Sequence, residues 1–265
     1  MEQRLVAWRG VGVQVTGDPN TLDLLAQHLP TFFGGPGEVV AQARLDGADP
    51  LHVELPDGLS LSGPYGTETF RAAASRIELL IAAQLPDRVA VHAGVVAWQG
   101  RAIVLPGVSM SGKSTLVSAL VDAGATYLSD EFALLDGSGR VWAYPRKMTT
   151  RTTAGTERRL PDGSVGVDDA ALEVALVADF TFSPGAGPVE SMTRGQTVLS
   201  LAANALPIRA FPARTLDCLT AVATTAEGIR GVRGEAVPAA VALLARLSRL
   251  CPTSAGGRPE IGTLD

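Results

Sequence analysis

Lysine is almost missing from this chain. It occurs only at positions 113 and 147, so the 22 basic residues are nearly all arginine, against 27 acidic ones. A net charge of −5 excludes the broad basic face that a sequence-independent nucleic-acid binder needs. Cysteine is scarce too: Cys218 and Cys251 stand without a C-x-x-C run or a Cys/His spacing. That argues against a zinc site or a disulfide framework and leaves buried or free thiols. No apolar run reaches the roughly 18 residues of a bilayer span, and the opening stretch MEQRLVAWRG lacks the apolar core of a signal peptide. A cytoplasmic protein without membrane or nucleic-acid partners is the expectation. With 46% hydrophobic and 18% charged residues the composition is globular, and 265 residues suffice for one large domain or two small ones.

What is present concentrates between Val91 and Asp136. One of the rare lysines falls in Gly107-Val108-Ser109-Met110-Ser111-Gly112-Lys113-Ser114, followed by Thr115, which satisfies the phosphate-loop pattern G-x-x-x-x-G-K-[ST]. The two glycines let successive amides curl toward one anion. A helix starting near Lys113 would aim its unpaired N–H groups at the same phosphates. Lys113 is expected at the β/γ-phosphates and the Ser114 hydroxyl at Mg²⁺. The flanks agree: residues 102–105 read as a buried strand, and Leu116, Val117, Leu120 and Val121 recur at helical spacing before Gly124.

Around this unit the chain reads as α/β. Residues 1–85 form a small N-terminal α/β portion, and 86–265 carry the phosphate loop. Strands are expected at 5–8, 11–15, 39–45, 51–55 and 59–61, with a helix after residue 20 capped by Asn20 or Thr21. A second helix, Thr67–Gln84, would be capped by Thr67 and bury Phe70, Ala74, Ile77, Leu80 and Ile81. Two apolar runs, 89–98 and 101–105, meet at Gln99-Gly100, a hairpin signal. After the loop helix, a strand at 125–128 ends on Ser129, Asp130 and Glu131. Carboxylates at the carboxyl end of a strand, beside a phosphate loop, stand where a metal and a base are required. A further hairpin turns at 136–139, and a basic segment follows from Arg146 through Lys147 to Arg159. Residues 152–169, with Arg158-Arg159 and Asp168-Asp169, read as a loop near the substrate. Farther on, the pattern predicts a strand within 172–182, a helix over 194–205 capped by Thr193 with Val198, Leu199 and Leu201 inward, strand or mixed structure over 214–223, and a helix over 238–250 with Val241, Leu244, Leu247 and Leu250 on its buried face.

The central stretch resembles the kinase domain of the HPr kinase/phosphorylase family, and more closely its shorter relatives, some of which sit in biosynthetic clusters for modified peptides. His92 stands fifteen residues before Gly107, the phosphate loop is intact, and Asp130 lies seventeen residues after Lys113, all in the family's register. The likeness covers about residues 88–150. The family's second aspartate is Glu131 here, and its glycine-containing signature has no clear counterpart after Phe182.

The resemblance implies a fold like that of phosphoenolpyruvate carboxykinase, with a mixed sheet and a hairpin feeding the loop. It implies ATP and Mg²⁺ as cofactors, residues 107–115 as the nucleotide cradle, Asp130 as general base, Ser114 and Glu131 as metal ligands, and His92 beside the transferred phosphate or the acid pair. The acceptor would be a hydroxyl, a serine of a peptide or small protein. A homo-oligomer stays open. An arginine from 146–159, or Arg194, would meet developing charge on the phosphate. The alternatives are a small-molecule phosphotransferase and a nucleotide-binding module without transfer. No N-K-x-D run is present to read a guanine.

Overall fold

Alternating segments build a first sheet. In this computed structural model, residues 1–47, 49–56, 58, 60–107, 111–152, 155–161, 164–166 and 171–250 are described, with the backbone alone for 149–152 and 155–159. Val108, Ser109 and Met110, Asp168-Asp169 and Cys251 lie outside the described residues, as do the side chains of Arg158 and Arg159. β1 (Glu2–Trp8) and β2 (Gly10–Gly17) pair antiparallel, and α1 (Pro19–Ala26) carries the chain across to β3 (Gly37–Asp46), parallel to β2. β4 (Leu51–Glu54) and β5 (Ser60–Gly63) extend the sheet antiparallel. The cap of α1 is Asp18, not Asn20 or Thr21: its carboxylate accepts the Thr21 amide at 3.0 Å. An acceptor just ahead of Pro19 reaches the third helical amide, while proline needs no partner for a missing one.

α2 (Thr67–Ala83) lies on this sheet. Thr67 is its first helical residue rather than its cap, a position Gly66 fills without a side-chain bond. Phe70, Ala73, Ala74, Ile77 and Ile81 are buried, a stripe at helical spacing in which each large apolar side chain contributes roughly 1.5–3 kcal/mol. The same core takes in Ala90, Phe132, Leu134 and Tyr144 from the second sheet.

That sheet starts from a hairpin, β6 (Val89–Trp98) and β7 (Arg101–Pro106). Gln99 and Gly100, at φ +51° and +76°, make the two-residue turn whose twist matches paired strands. α3 (Lys113–Asp122) follows, then β8 (Thr126–Ser129), β9 (Phe132–Leu135), β10 (Arg140–Trp142) and a separate hairpin of β11 (Met148–Thr152) with β12 (Gly155–Arg159). β13 (Ala171–Phe182), β14 (Val189–Met192), α4 (Arg194–Ala202), α5 (Pro212–Thr225), β15 (Glu227–Arg233) and α6 (Ala236–Leu250) complete the order. The strands lie as β10-β9-β6-β7-β13-β15-β14, with β8 also on β6. β7, β13 and β15 are mutually parallel, and the remaining neighbours are antiparallel. Both sheets are therefore mixed. α3 packs closely on β6 because of Gly94, where a Cβ would stand 2.5 Å from Val117 Cγ2. Among the described residues, no helix is long and apolar enough to cross a membrane.

Several expectations give way. Residues 214–223 are helix, within α5. Its polar face of threonines and Asp217 broke the apolar period, while Pro212 at the start and Cys218, Leu219 and Val222 inside hold it. β14 and β15 went unread. Part of the loop expected over 152–169 is the backbone hairpin of β11 and β12. Thr193 does cap α4, in a reciprocal pair with Gln196, but Leu199 is 69% exposed and Leu201 is the buried leucine. On α6 the buried face runs through Ala240, Leu243, Leu244 and Leu247, and Val241 points outward.

The turn between β9 and β10 is held by one carboxylate. Asp136 accepts the Ser138 amide at 2.9 Å and hydroxyl at 2.6 Å, and the Trp142 indole N–H at 2.8 Å. Burial works against the charged form, but these donors outweigh it and hold the carboxyl below its usual range. The stabilisation is fully present above the unfolded value near 4 and is lost as pH falls through the lower folded value. Asp136→Asn should therefore be less stable than wild type at pH 7, with the gap closing below about pH 4, read as urea midpoints across pH.

Candidate active site

Two adjacent acids leave the end of β8, and a serine sends them to different neighbours. Ser129 is fully buried, and its hydroxyl accepts the amides of Glu131 at 3.1 Å and Phe132 at 3.0 Å. A side chain that satisfies these amides makes a tight turn without a partner strand. Asp130 Oδ2 then lies 3.2 Å from Ser114 Oγ at the start of α3, and Oδ1 accepts the Tyr127 hydroxyl at 2.9 Å. That hydroxyl is also 2.9 Å from the Arg146 carbonyl. Glu131 stands 3.4 Å from Arg146 Nη1 and 3.8 Å from His92 Nδ1.

His92 ties the acids to the glycine-rich loop through β6. Its Nδ1 is 2.9 Å from the Glu131 carbonyl oxygen, and its own carbonyl accepts the Gly107 amide at 3.2 Å. At the other end of the loop, Gly112 has φ +83°, and a Cβ there would collide with the Arg233 guanidinium. Only glycine combines that backbone with that neighbour. Arg233 donates to the Gly112 carbonyl at 2.9 Å and lies 5.0 Å over the Phe182 ring. Ser111 is half-buried and Thr115 exposed. Lys113 is buried.

Three of these groups are shifted from their usual values. Burial pushes the Lys113 ammonium below its usual value, against the pull of Glu131 and Asp130. Burial raises the Asp130 carboxyl, the Tyr127 hydrogen bond opposes the rise, and the charge of Glu131 adds to it. Burial and then the Lys113 charge lower His92, against its bond to the Glu131 carbonyl, so the imidazole is neutral near pH 7.

Of the expected residues, the fold brings Asp130, Glu131, Ser114, His92 and Lys113 together. Ser114, however, is hydrogen-bonded to Asp130, whereas Glu131, expected beside it for the cation, is engaged with Arg146 and His92. Arg194 opens α4 and is exposed; among the described side chains of the basic segment, Arg146 pairs with Glu131. Two hard oxygens 3.2 Å apart suit Mg²⁺, which binds one or two protein oxygens alongside substrate phosphates. Among the described residues, no cluster of three or more His, Cys, Asp or Glu forms a closed metal cage.

Sequence reasoning missed three contributors. Tyr127 looked like strand core. Arg233 carries no local signal, because its role depends on β15 ending beside the loop. Glu78 did leave one: it is a lone acid next to Ile77 on the buried face of α2. It is fully buried, 3.0 Å from the Tyr144 hydroxyl and 3.2 Å from Arg146 Nη2. Beyond it, Arg71, Ala72 and Ser75 of α2 face Asp130, Glu131 and Arg146 across a polar cavity of about 300 Å³. Removing one partner of a buried pair strands the other charge. Glu78→Ala should thus cost roughly 3–5 kcal/mol in denaturant unfolding, and adding Arg146→Met should recover part of that loss, the sign a double-mutant cycle reads.

No protein-family model matches the chain, and no curated protein matches it. Among solved structures, the HPr(Ser) kinase/phosphatase from Coxiella burnetii superposes at a TM-score of 0.35 and 15% identity, over 61% of this chain and 97% of that one.

Proposed function

We propose that this chain is an ATP-dependent kinase that phosphorylates a hydroxyl, a serine of a peptide or small protein, as in the HPr kinase-like family it resembles over residues 88–150. In this reading residues 86–265 are the phosphoenolpyruvate carboxykinase-like phosphate-loop unit, and residues 1–85 are a smaller portion that supplies α2. The observation that carries it is the position of Asp130, with the loop serine 3.2 Å away on one side and a polar cavity on the other. A carboxylate so placed touches both the nucleotide end and the acceptor end of an in-line transfer.

The 107–115 loop amides and Lys113 bind the β- and γ-phosphates. Ser114 and a carboxylate of the acid pair would hold Mg²⁺, which would supply positive charge to offset that on the phosphate oxygens. The acceptor enters through the cavity against α2. Asp130, its carboxyl raised by burial, takes the proton as the acceptor oxygen bonds to the γ-phosphorus and ADP leaves. His92 and Arg146 hold Glu131 and keep the acid turn in place. Lys113→Ala should weaken ATP about 10- to 100-fold, the loss of hydrogen bonds to charged groups, read by calorimetry.

The Ser114–Asp130 contact favours a second assignment, in which Asp130 completes the cation shell and Glu131 takes the proton. Two variants separate these roles. If Asp130 is the base, Asp130→Asn should bind ATP normally and lose transfer by about 10²–10⁴-fold at any Mg²⁺ concentration. If it is a metal ligand, excess Mg²⁺ should restore part of the rate, and Glu131→Gln should show the loss instead. The assay is mass spectrometry of serine peptides incubated with ATP, looking for one added phosphate. Full transfer by both variants would remove the acid pair from the chemistry.

A further inference from the structure

A second and larger hollow, about 490 Å³, lies between α6 and the chain around residues 184–189. It contrasts with the polar cavity at the acids. Phe180, Ile229 and Leu243 contribute apolar surface, Ala186 and Ala242 stand exposed on opposite walls, and Arg233 closes one end. Its place in the fold is informative. β7, β13 and β15 run parallel, so Pro106, Phe182 and Arg233 end at the same edge of the sheet. Three connections leave that edge. The one after β7 is the glycine-rich loop; those after β13 and β15 form the two walls of the hollow. Sheets with parallel strands take ligands beyond the carboxyl ends.

One side chain belongs to both places. Arg233 lines the hollow and also donates to the Gly112 carbonyl at 2.9 Å, stacked 5.0 Å over Phe182. Anything that lies in the loop and continues past Arg233 enters the apolar space. The geometry points to this hollow as the seat of the base and ribose of the nucleotide whose phosphates lie in the 107–115 loop. The assignment rests on the phosphate reading given above and adds the part of the ligand that the loop does not touch. Apolar walls suit the two faces of a flat heterocycle, and no N-K-x-D run is present to read a base by carboxylate. Three guanidiniums line the hollow, those of Arg233, Arg246 and Arg249; Arg246 is paired with Glu227, and Arg233, which also donates to the Gly112 carbonyl, is the cation beside the junction of ribose and phosphate in this assignment.

The test compares ATP with inorganic tripolyphosphate, which has the phosphates and no base. Titration calorimetry of the full chain with Mg²⁺ is run on wild type, Lys113→Ala, and two variants that fill the hollow from opposite sides, Ala186→Trp and Ala242→Trp. Both positions are exposed, and a thermal melt checks the fold. The tryptophan variants should weaken ATP at least about tenfold and leave tripolyphosphate within about twofold, since only the buried base contact is lost. Unchanged ATP affinity in both variants, with tripolyphosphate still dependent on Lys113, overturns the assignment of the hollow and spares the loop. Equal weakening of both ligands also overturns it, because the damage then lies at the phosphates. Tripolyphosphate that fails to bind wild type, or binds Lys113→Ala as well, brings down the phosphate reading and this inference together.

Discussion

A guanidinium taken out of water needs partners for its donors and its charge, and Arg146 finds carboxylates for them in two directions. Glu78 approaches from α2, inside the core of the first sheet, and Glu131 approaches from the turn after β8. The pairing fixes where α2 lies relative to the glycine-rich loop. Apolar contacts at Ala90, Phe132, Leu134 and Tyr144 set the distance between the sheets, while this pairing, the Tyr144–Glu78 hydrogen bond and the Arg9–Asp87 pair give direction. The wall of the polar cavity, the aim of Glu131 and the carbonyl that Tyr127 meets all follow from one buried cation.

β6 does the corresponding work on the other side. His92 presents its carbonyl to Gly107 and its ring to the Glu131 carbonyl, so the loop and the acid turn are spaced by one residue of a central strand. Ser129 fixes the turn by accepting the Glu131 and Phe132 amides, so that Asp130 meets Ser114 and Tyr127 while Glu131 meets Arg146. The acid turn is thus held both by its own serine and by side chains from neighbouring elements. Preorganisation of this kind is what charge-stabilising catalysis requires.

How far all this was legible depends on sequence distance. The hairpin at Gln99-Gly100, the loop from Gly107 to Ser114 and the acids at 130–131 are local patterns, and local propensity and spacing describe them. Glu78 was half legible, as an acid on an apolar stripe. Arg233 was not legible, since its value comes from a parallel strand that begins more than a hundred residues after the loop. α5 hid behind its threonines, whose hydroxyls bond back to the helix carbonyls, as Thr224 does to Thr220 at 2.8 Å. On α4 and α6 the expected Leu201, Leu244 and Leu247 are buried, and only Leu199 and Val241 face outward, where runs of apolar side chains blur the period.

The parallel pairing of β7 with β13, and of β13 with β15, also governs the order of events during synthesis. A nascent chain that has exposed everything through α3 holds the whole glycine motif but none of the strands that flank β7 on that side. Arg233, which braces Gly112, follows it by 121 residues. Non-local pairings of this sort form late and slowly, so the loop stays without its bracing until β15, more than a hundred residues farther along, has been made and has paired with β13.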